Sequence, residues 1–308
     1  EVGGRLDIGE DYRTRHNAPM KQLLLALSFC LLTPLAHAWN AAGHRLTAMI
    51  AWQQMSPSAH EKIKAILAHH PDHGRWAEKA KSSDGAAIFC EASTWPDDIR
   101  NDPRFQDEST ATTMPDNGRH KNWHFVDLLP DGSVKSGQLD RQIERFSQLL
   151  RSTAKSEQIS YALPWLIHLV GDIHQPLHVG QHGDEGGNQV EIENPFNRRL
   201  PFTSLHTYWD DLPGPPWLRG KRLEQKAAMM VERHPPPKQT RVREWRDESH
   251  RLLAFAYPKA EGSLLPVITE EFHRQAHEIT DRRIVEGGYR LGRLLEEIFG
   301  AGVSRGTP

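Results

Sequence analysis

The stretch His168–His178, HLVGDIHQPLH, places His168, Asp172, His174 and His178 within eleven positions that otherwise read as part of a buried helix. The run just before it, ISYALPWLI (159–167), is almost wholly apolar. A polar group buried without a partner costs roughly 2–7 kcal/mol, and an isolated charge far more. The fold therefore turns on what makes these four side chains tolerable. His168 and Asp172 are four residues apart, hence neighbours on one helix face. SLHTYWDD (204–211) repeats that spacing with His206 and Asp210.

Working outward, the pattern is helical. GHRLTAMIAWQQM (43–55) has apolar residues at 46, 49, 50 and 52, the spacing of a helix face. Ser56-Pro57 ends it and starts SAHEKIKAILAHH, as expected of a cap followed by proline in a first turn. QLDRQIERFSQLL (138–150) puts Leu139, Ile143, Phe146 and Leu150 on one face, and YALPWLIHLVGDI follows as a buried central helix. Roughly Thr269 to Phe299 carries another long helical pattern, with Glu and Arg on its outer face. GGNQVEIEN (186–194) is the best candidate for a short strand or hairpin, and PDNGRHKN, LPGPPW and HPPPKQ read as loops. There is no internal repeat and no linker. The expected fold class is all-α, a single mostly helical domain over residues 39–308.

Composition sets bounds on function. With 308 residues, 25% charged and 37% apolar, a packed core is expected and wholesale disorder is not. The net charge of −2 argues against a polyanion-binding surface built from Lys and Arg, and the eighteen histidines are the unusual feature. From Met20, MKQLLLALSFCLLTPLAHAW reads as a secretory signal: one Lys, an apolar run from Leu23 to Leu35, then Ala36-His37-Ala38. The run is short for a membrane span, so residues 20–38 are expected to be cleaved before Trp39, and no stable membrane anchor is expected. Residues 1–19 precede the start Met and are read as an upstream extension outside the fold. The removed segments carry as many acidic as basic residues, so the net charge is unchanged. Cys30 falls in the signal, leaving Cys90 alone, so no internal disulfide can form. Secretion without disulfides fits a bacterial periplasm or culture medium.

The remaining chemistry-bearing residues are Asp97 in STWPDDIR, His124 in KNWHFVDL, and His44, five residues after the expected new N-terminus. Imidazole nitrogen with carboxylate oxygen, and no thiolate, suits catalytic Zn2+ rather than a structural zinc knuckle. One HxxxD alone is weak and reads more readily as a capped or salt-bridged pair; two of them, with the HQPLH run and a freed N-terminal amine near a His, make a stronger pattern.

WNAAGHR, WPDDIR, WHFVD, HLVGDIHQPLH, DEGGN and LHTYWD occur in an order and spacing that resemble the zinc-dependent single-strand nucleases of the S-one/P-one type, which share an all-α fold with bacterial zinc phospholipases C. The resemblance covers most of residues 39–308 and implies three Zn2+ along a cleft. It implies that Asp97, His124, His168 and Asp172 bind one zinc. Trp39, through its α-amine and carbonyl oxygen, binds a second with His44 while Asp172 bridges the two, and His178, His206 and Asp210 bind the third. His174, two residues from Asp172, points elsewhere and is read as supporting or structural. Three Zn2+ outweigh three aspartates, so the cleft would be electropositive on a protein that is not.

The implied activity is metal-assisted hydrolysis of single-stranded RNA or DNA to 5′-phosphate products, with 3′-nucleotidase activity alongside. Asp97 and Asp172 serve in catalysis through the metals, and Arg100 matches a basic position that would clamp the phosphate; its plain alternative is a surface Arg. Phe125 and Asp127 match a base pocket, the ring to stack and the carboxylate to accept from a base edge, with Asn188 joining them; Phe125 reads equally as core. The 118–121 cluster GRHK is read as a solvated loop. Single-stranded nucleic acid and 3′-nucleotides are the expected substrates, with no obligate protein partner. The alternative is a zinc phospholipase C. Against it, those enzymes resemble HxxxE where this chain has His206 and Asp210 in HxxxD, and no exposed apolar, membrane-seeking loop stands out. A non-catalytic zinc-storage protein would need neither a cleft nor the Phe125 pocket.

Overall fold

The structure is a computed structural model describing residues 39–107, 114–152, 154–180, 183–259 and 265–300. The expected extension and signal, Cys30 included, lie outside these residues. Helix α1 (Ala41–Gln53) begins where the Asn40 side chain accepts from the Ala42 N–H at 2.9 Å. As the sequence predicts, Ser56 caps α2 (Pro57–Ala68) by accepting from the Ala59 N–H, with Pro57 in the first turn, where its missing N–H forfeits no intrahelical bond. Then come α3 (His73–Ala80), α4 (Gly85–Ala92) and the single turn α5 (Trp95–Asp98).

Strands β1 (Val126–Leu128) and β2 (Val134–Gly137) pair antiparallel; the sequence pattern did not reveal this hairpin. Helices α6 (Leu139–Arg151) and α7 (Ser156–Asp172) follow. GGNQVEIEN supplies β3 (Glu191–Glu193), antiparallel to β4 (Phe202–Ser204). Helix α8 (Leu205–Asp211) is capped by the Ser204 side chain, and α9 (Gly220–Arg233), α10 (Val242–Ala256) and α11 (Glu270–Phe299) complete the chain. Among the described residues, sheet is confined to these two hairpins, and the fold is mostly helical, as expected. No described helix is long and apolar enough to cross a membrane.

α7 is the axis. Every residue from Ser160 to Asp172 is buried, because α6, α2, α11, α5 and α1 all pack around it. A helix that is apolar all round belongs at such a centre. Leu139, Ile143, Phe146 and Leu150 are fully buried, as the α6 face predicts. α11 lies against α1 so closely that a Cβ on Gly288 would fall 2.5 Å from the Ile50 Cβ; only glycine permits that approach.

The outward face expected for Arg on α11 needs correction. Arg283 and Arg290 are 2% and 3% exposed. The cause is α10: its Glu248 receives Arg283 Nη1 at 2.8 Å and Arg290 Nη2 at 2.9 Å, drawing both guanidinium groups inward. A second buried ion group fixes α1. Arg45 grips Glu91 on α4 through Nε at 2.8 Å and Nη2 at 2.9 Å, while Arg219 reaches the same carboxylate at 2.7 Å. The Arg45 Nη1 also donates to Pro216 O at 2.7 Å.

Removing one partner of such a pair leaves a buried uncompensated charge. Glu91→Ala is expected to destabilise the fold by about 3–5 kcal/mol, read from urea unfolding at constant m-value. A change under about 1 kcal/mol would mean that water reaches Arg45 and that the pair is not what anchors α1.

Candidate metal centre

Five side chains from four parts of the chain converge at one end of α7. α1 delivers His44 and α5 delivers Asp97. His124 stands at the end of the short 3-10 turn Lys121–Trp123, and α7 presents His168 and Asp172 one turn apart. Asp172, fully buried, is two-sided. Its Oδ1 lies 3.4 Å from His44 Nε2, and its Oδ2 lies 3.0 Å from His124 Nδ1 and 3.2 Å from His168 Nε2. Asp97 closes the group, with Oδ2 3.8 Å from His44 Nε2 and Oδ1 3.7 Å from His168 Nε2. Arg100 Nε sits 3.2 Å from Asp97 Oδ1, an ion-pair contact off the line of a hydrogen bond. Its side chain is 8% exposed, so Arg100 is not a surface arginine.

A second group forms where α7 has ended. The helix stops at Asp172, four residues before Pro176, and His178 is carried by the 3-10 turn Pro176–His178. α8 contributes His206 and Asp210 from one face, the predicted i, i+4 pair. His178 Nε2 is 3.3 Å from His206 Nε2, which is 3.5 Å from Asp210 Oδ2.

Backbone carbonyls set the ring orientations. His168 Nδ1 bonds to Ser93 O at 2.8 Å, His178 Nδ1 to His124 O at 2.5 Å, and His206 Nδ1 to Gly186 O at 2.7 Å. A carbonyl only accepts, so each Nδ1 carries the proton and each Nε2 of a neutral ring presents a lone pair inward. In the second group two such lone pairs face each other, an arrangement that repels unless a cation stands between them. In the first group, His44 Nδ1 and Nε2, Asp97 Oδ1 and Asp172 Oδ1 are buried without a hydrogen-bond partner. Gly171 makes room for the His44 ring, since a Cβ there would lie 2.8 Å from His44 Nδ1.

Electrostatics agree with this geometry. Burial, followed by neighbouring imidazoles and Arg100, holds His44 and His124 well below the ordinary histidine range. Burial and then His206 do the same to His178. Burial would lower His168 too, but Asp172 and Asp97 outweigh it and hold that ring above its usual value. Burial pushes Asp172 up to about 6 and raises Asp210 well above the carboxylate range. His44, His124 and His178, favoured as neutral rings, stand beside carboxylates that burial disfavours as anions, a donor set suited to a bound cation. Among the described residues three groups could hold a metal ion, the first two sharing His168: His44, His168 and Asp172; Asp97, His124 and His168; His178, His206 and Asp210.

The other expected residues fall as follows. Trp39 is fully buried, and the Asn40 N–H donates to Asp210 O at 3.1 Å, which sets the start of α1 against α8. Phe125 is half-buried, neither core nor free. Asp127 accepts from Ser136 Oγ at 2.7 Å. Asn188 donates to Glu185 O at 2.6 Å, so its amide is engaged within its own turn. His174 faces away from both groups, bonded to Val170 O at 2.7 Å and to Arg290 Nη1 at 2.8 Å. Arg119 and Lys121 are both tied to Asp107, at 2.8 and 3.0 Å. A further expectation needs correction: Phe196 and Leu200 in the β3–β4 connection and Phe202 at the start of β4 are 45%, 47% and 53% exposed, with Phe196 stacked on His273, apolar surface that short runs among Pro, Asn and Arg concealed.

Several supporting residues were not anticipated. Tyr257 donates to Asp184 Oδ2 at 2.9 Å, and Asp184 Oδ1 accepts from the Gly187 N–H at 3.0 Å, bracing the turn whose Gly186 carbonyl orients His206. Nothing in the sequence pairs Tyr257 with DEGGN. Gln175, inside the HQPLH run, gave a signal in being polar between buried ligand candidates.

An all-α chain with His and Asp donors gathered in two buried groups defines a class of helical metalloproteins. The sequence profile described as S1/P1 Nuclease matches residues 39–300. Endonuclease 3 of Arabidopsis thaliana is 26% identical over 89% of this chain and 95% of its own length. Nuclease P1 of Penicillium citrinum is 22% identical over 87% of this chain and 100% of its own. Nuclease S1 of Aspergillus oryzae is 23% identical over 58% and 55%. The protein belongs to the S1/P1 nuclease family.

The two-sided position of Asp172 has a measurable consequence. In elemental analysis, Asp172→Ala is expected to lose about two equivalents of bound divalent metal where Asp210→Ala loses about one. Equal losses would remove Asp172 from a shared position.

Proposed function

We propose that the protein is a zinc-dependent phosphodiesterase that hydrolyses single-stranded nucleic acid to 5′-phosphate products and also acts as a 3′-nucleotidase. The observation that carries this reading is the second group, where two carbonyl-oriented imidazole nitrogens face each other at 3.3 Å beside the carboxylate of Asp210. Nitrogen and carboxylate donors without thiolate suit zinc in a catalytic role. Asp97, His124, His168 and Asp172 would hold one zinc; His44 and the amine and carbonyl of Trp39 a second, shared through Asp172; His178, His206 and Asp210 a third. Bound zinc supplies Lewis acidity and a water acidified toward neutral pH.

The chain's own residues do the rest. Asp172 orients donors on both of its sides. Arg100, held against Asp97, offers a guanidinium to a phosphate oxygen as charge builds. Half-buried Phe125 would offer a ring on which an unstacked base rests, and Asp127 would accept from a base edge; Asn188 would join them. The amine of Trp39 is free only after cleavage at Ala38–Trp39, so the reading includes removal of residues 1–38 and action outside the cytoplasm. A peptide nitrogen there is a poor ligand because its lone pair is delocalised.

The phospholipase C reading loses one argument, since the β3–β4 connection does expose Phe196, Leu200 and Phe202. It is disfavoured by Asp210 in place of Glu and by the family match, and it enters the test directly.

Protein beginning at Trp39 and loaded with zinc is expected to cleave single-stranded DNA, RNA and 3′-AMP, leaving phosphatidylcholine intact. Turnover of the lipid alone would overturn the proposal. Phe125→Ala is expected to weaken short oligonucleotides by about 1–3 kcal/mol, seen as a higher KM with the metal count unchanged; an unaltered KM returns Phe125 to packing. A protein with one extra residue before Trp39 is expected to stay folded but lose most of one zinc equivalent. Full metal content in that extended form would exclude the N-terminal ligand.

A further inference from the structure

Between the two ligand groups runs the turn 173–178, and one residue in it is bonded toward both. Gln175 is fully buried. Its backbone N–H donates to Asp172 O at 3.0 Å, and its carbonyl accepts from the His178 N–H at 3.1 Å. Its side-chain Nε2 donates to Asp210 Oδ1 at 3.0 Å, across the gap to α8. The amide orientation follows from chemistry: Oε1 accepts from the Leu177 N–H at 2.5 Å, and an NH2 turned that way would set donor against donor. The backbone of Gln175 is extended at φ −85°, ψ 119°, the conformation that a following proline imposes. Pro176 thus throws Gln175 off the line of α7, and its side chain meets α8.

The consequence for Asp210 is specific. One carboxylate oxygen is occupied by Gln175, while the other, Oδ2, is turned to His206 Nε2 at 3.5 Å. A neutral amide does this without neutralising the carboxylate, as Lys or Arg would, and leaves its charge available to a cation.

We infer that Gln175 is a positioning residue that presents Asp210 through a single oxygen and fixes the spacing between the Asp172 group and the His178–His206–Asp210 group. This rests on the proposed reading of the latter group as a metal site. A purely structural glutamine, filling space and satisfying a buried acid, would alter stability without altering the affinity of one metal site alone.

The test uses the protein from Trp39 onward with Zn2+ and Co2+ as probes. His206→Ala first identifies which metal equivalent belongs to the second group. In Gln175→Met, similar in length but without hydrogen bonds, chelator competition is expected to show that same equivalent held about 10–100-fold more weakly. The remaining equivalents are expected to be unchanged, and the Co2+ d–d spectrum altered only in the band that His206→Ala removes. Unchanged affinity and spectrum in Gln175→Met would overturn the inference while leaving the metal site standing. An unchanged metal count in His206→Ala would instead overturn the site, and the inference with it. If Gln175→Met does not fold, Gln175→Asn, which keeps the amide but is one methylene too short to reach Asp210, takes its place, with the same weakening of that one equivalent expected and unchanged affinity overturning the inference.

Discussion

Asp172 sits at zero exposure with one oxygen toward His44 and the other toward His124 and His168. A carboxylate in that position is far from water and is disfavoured by burial, so everything around it must compensate. The surrounding helices are arranged to that end. α7 passes through the middle of the fold so that its last turn ends inside the protein, and α1 and α5 reach that end with His44 and Asp97. Arg45, next to His44, is locked to Glu91, which Arg219 also holds, so the helix delivering the imidazole is fixed by a buried ion group.

Much of this was legible in the sequence, for a physical reason. Ionisable residues inside an apolar run have few stable explanations, so HLVGDIHQPLH constrains both the burial of α7 and the chemistry at its end. The i, i+4 spacing of His206 and Asp210 survives as a face of α8 because local periodicity is all it requires. What stayed hidden depends on contacts between distant segments. The inward turn of Arg283 and Arg290 is decided by Glu248 on another helix. The β1–β2 hairpin is two strands of three and four residues, too short for alternation to register. The exposure of Phe196, Leu200 and Phe202 depends on which neighbours the β3–β4 connection meets, which composition does not encode. Tyr257 and Asp184 are 73 residues apart and share no pattern.

The same logic separates the two faces of the turn 173–178. Toward the ligand groups it shows Gln175 and His178, directly after Asp172 at the end of α7. On its other side Ser249 Oγ donates to Ile173 O at 2.5 Å, Arg283 Nε donates to His174 O at 3.3 Å, and Arg290 Nη1 meets His174 Nε2 at 2.8 Å. Since a guanidinium only donates, the last contact requires His174 Nε2 to be unprotonated, and its Nδ1–H to Val170 O completes that tautomer. Burial, and then Arg283 and Arg290, hold His174 well below the ordinary histidine range, so the ring accepts there throughout the neutral pH range. The turn that joins Asp172 to His178 is therefore gripped from behind by Ser249, Arg283 and Arg290. The spacing between Asp172 and His178 is thus set by hydrogen bonds on the face turned away from the ligand candidates.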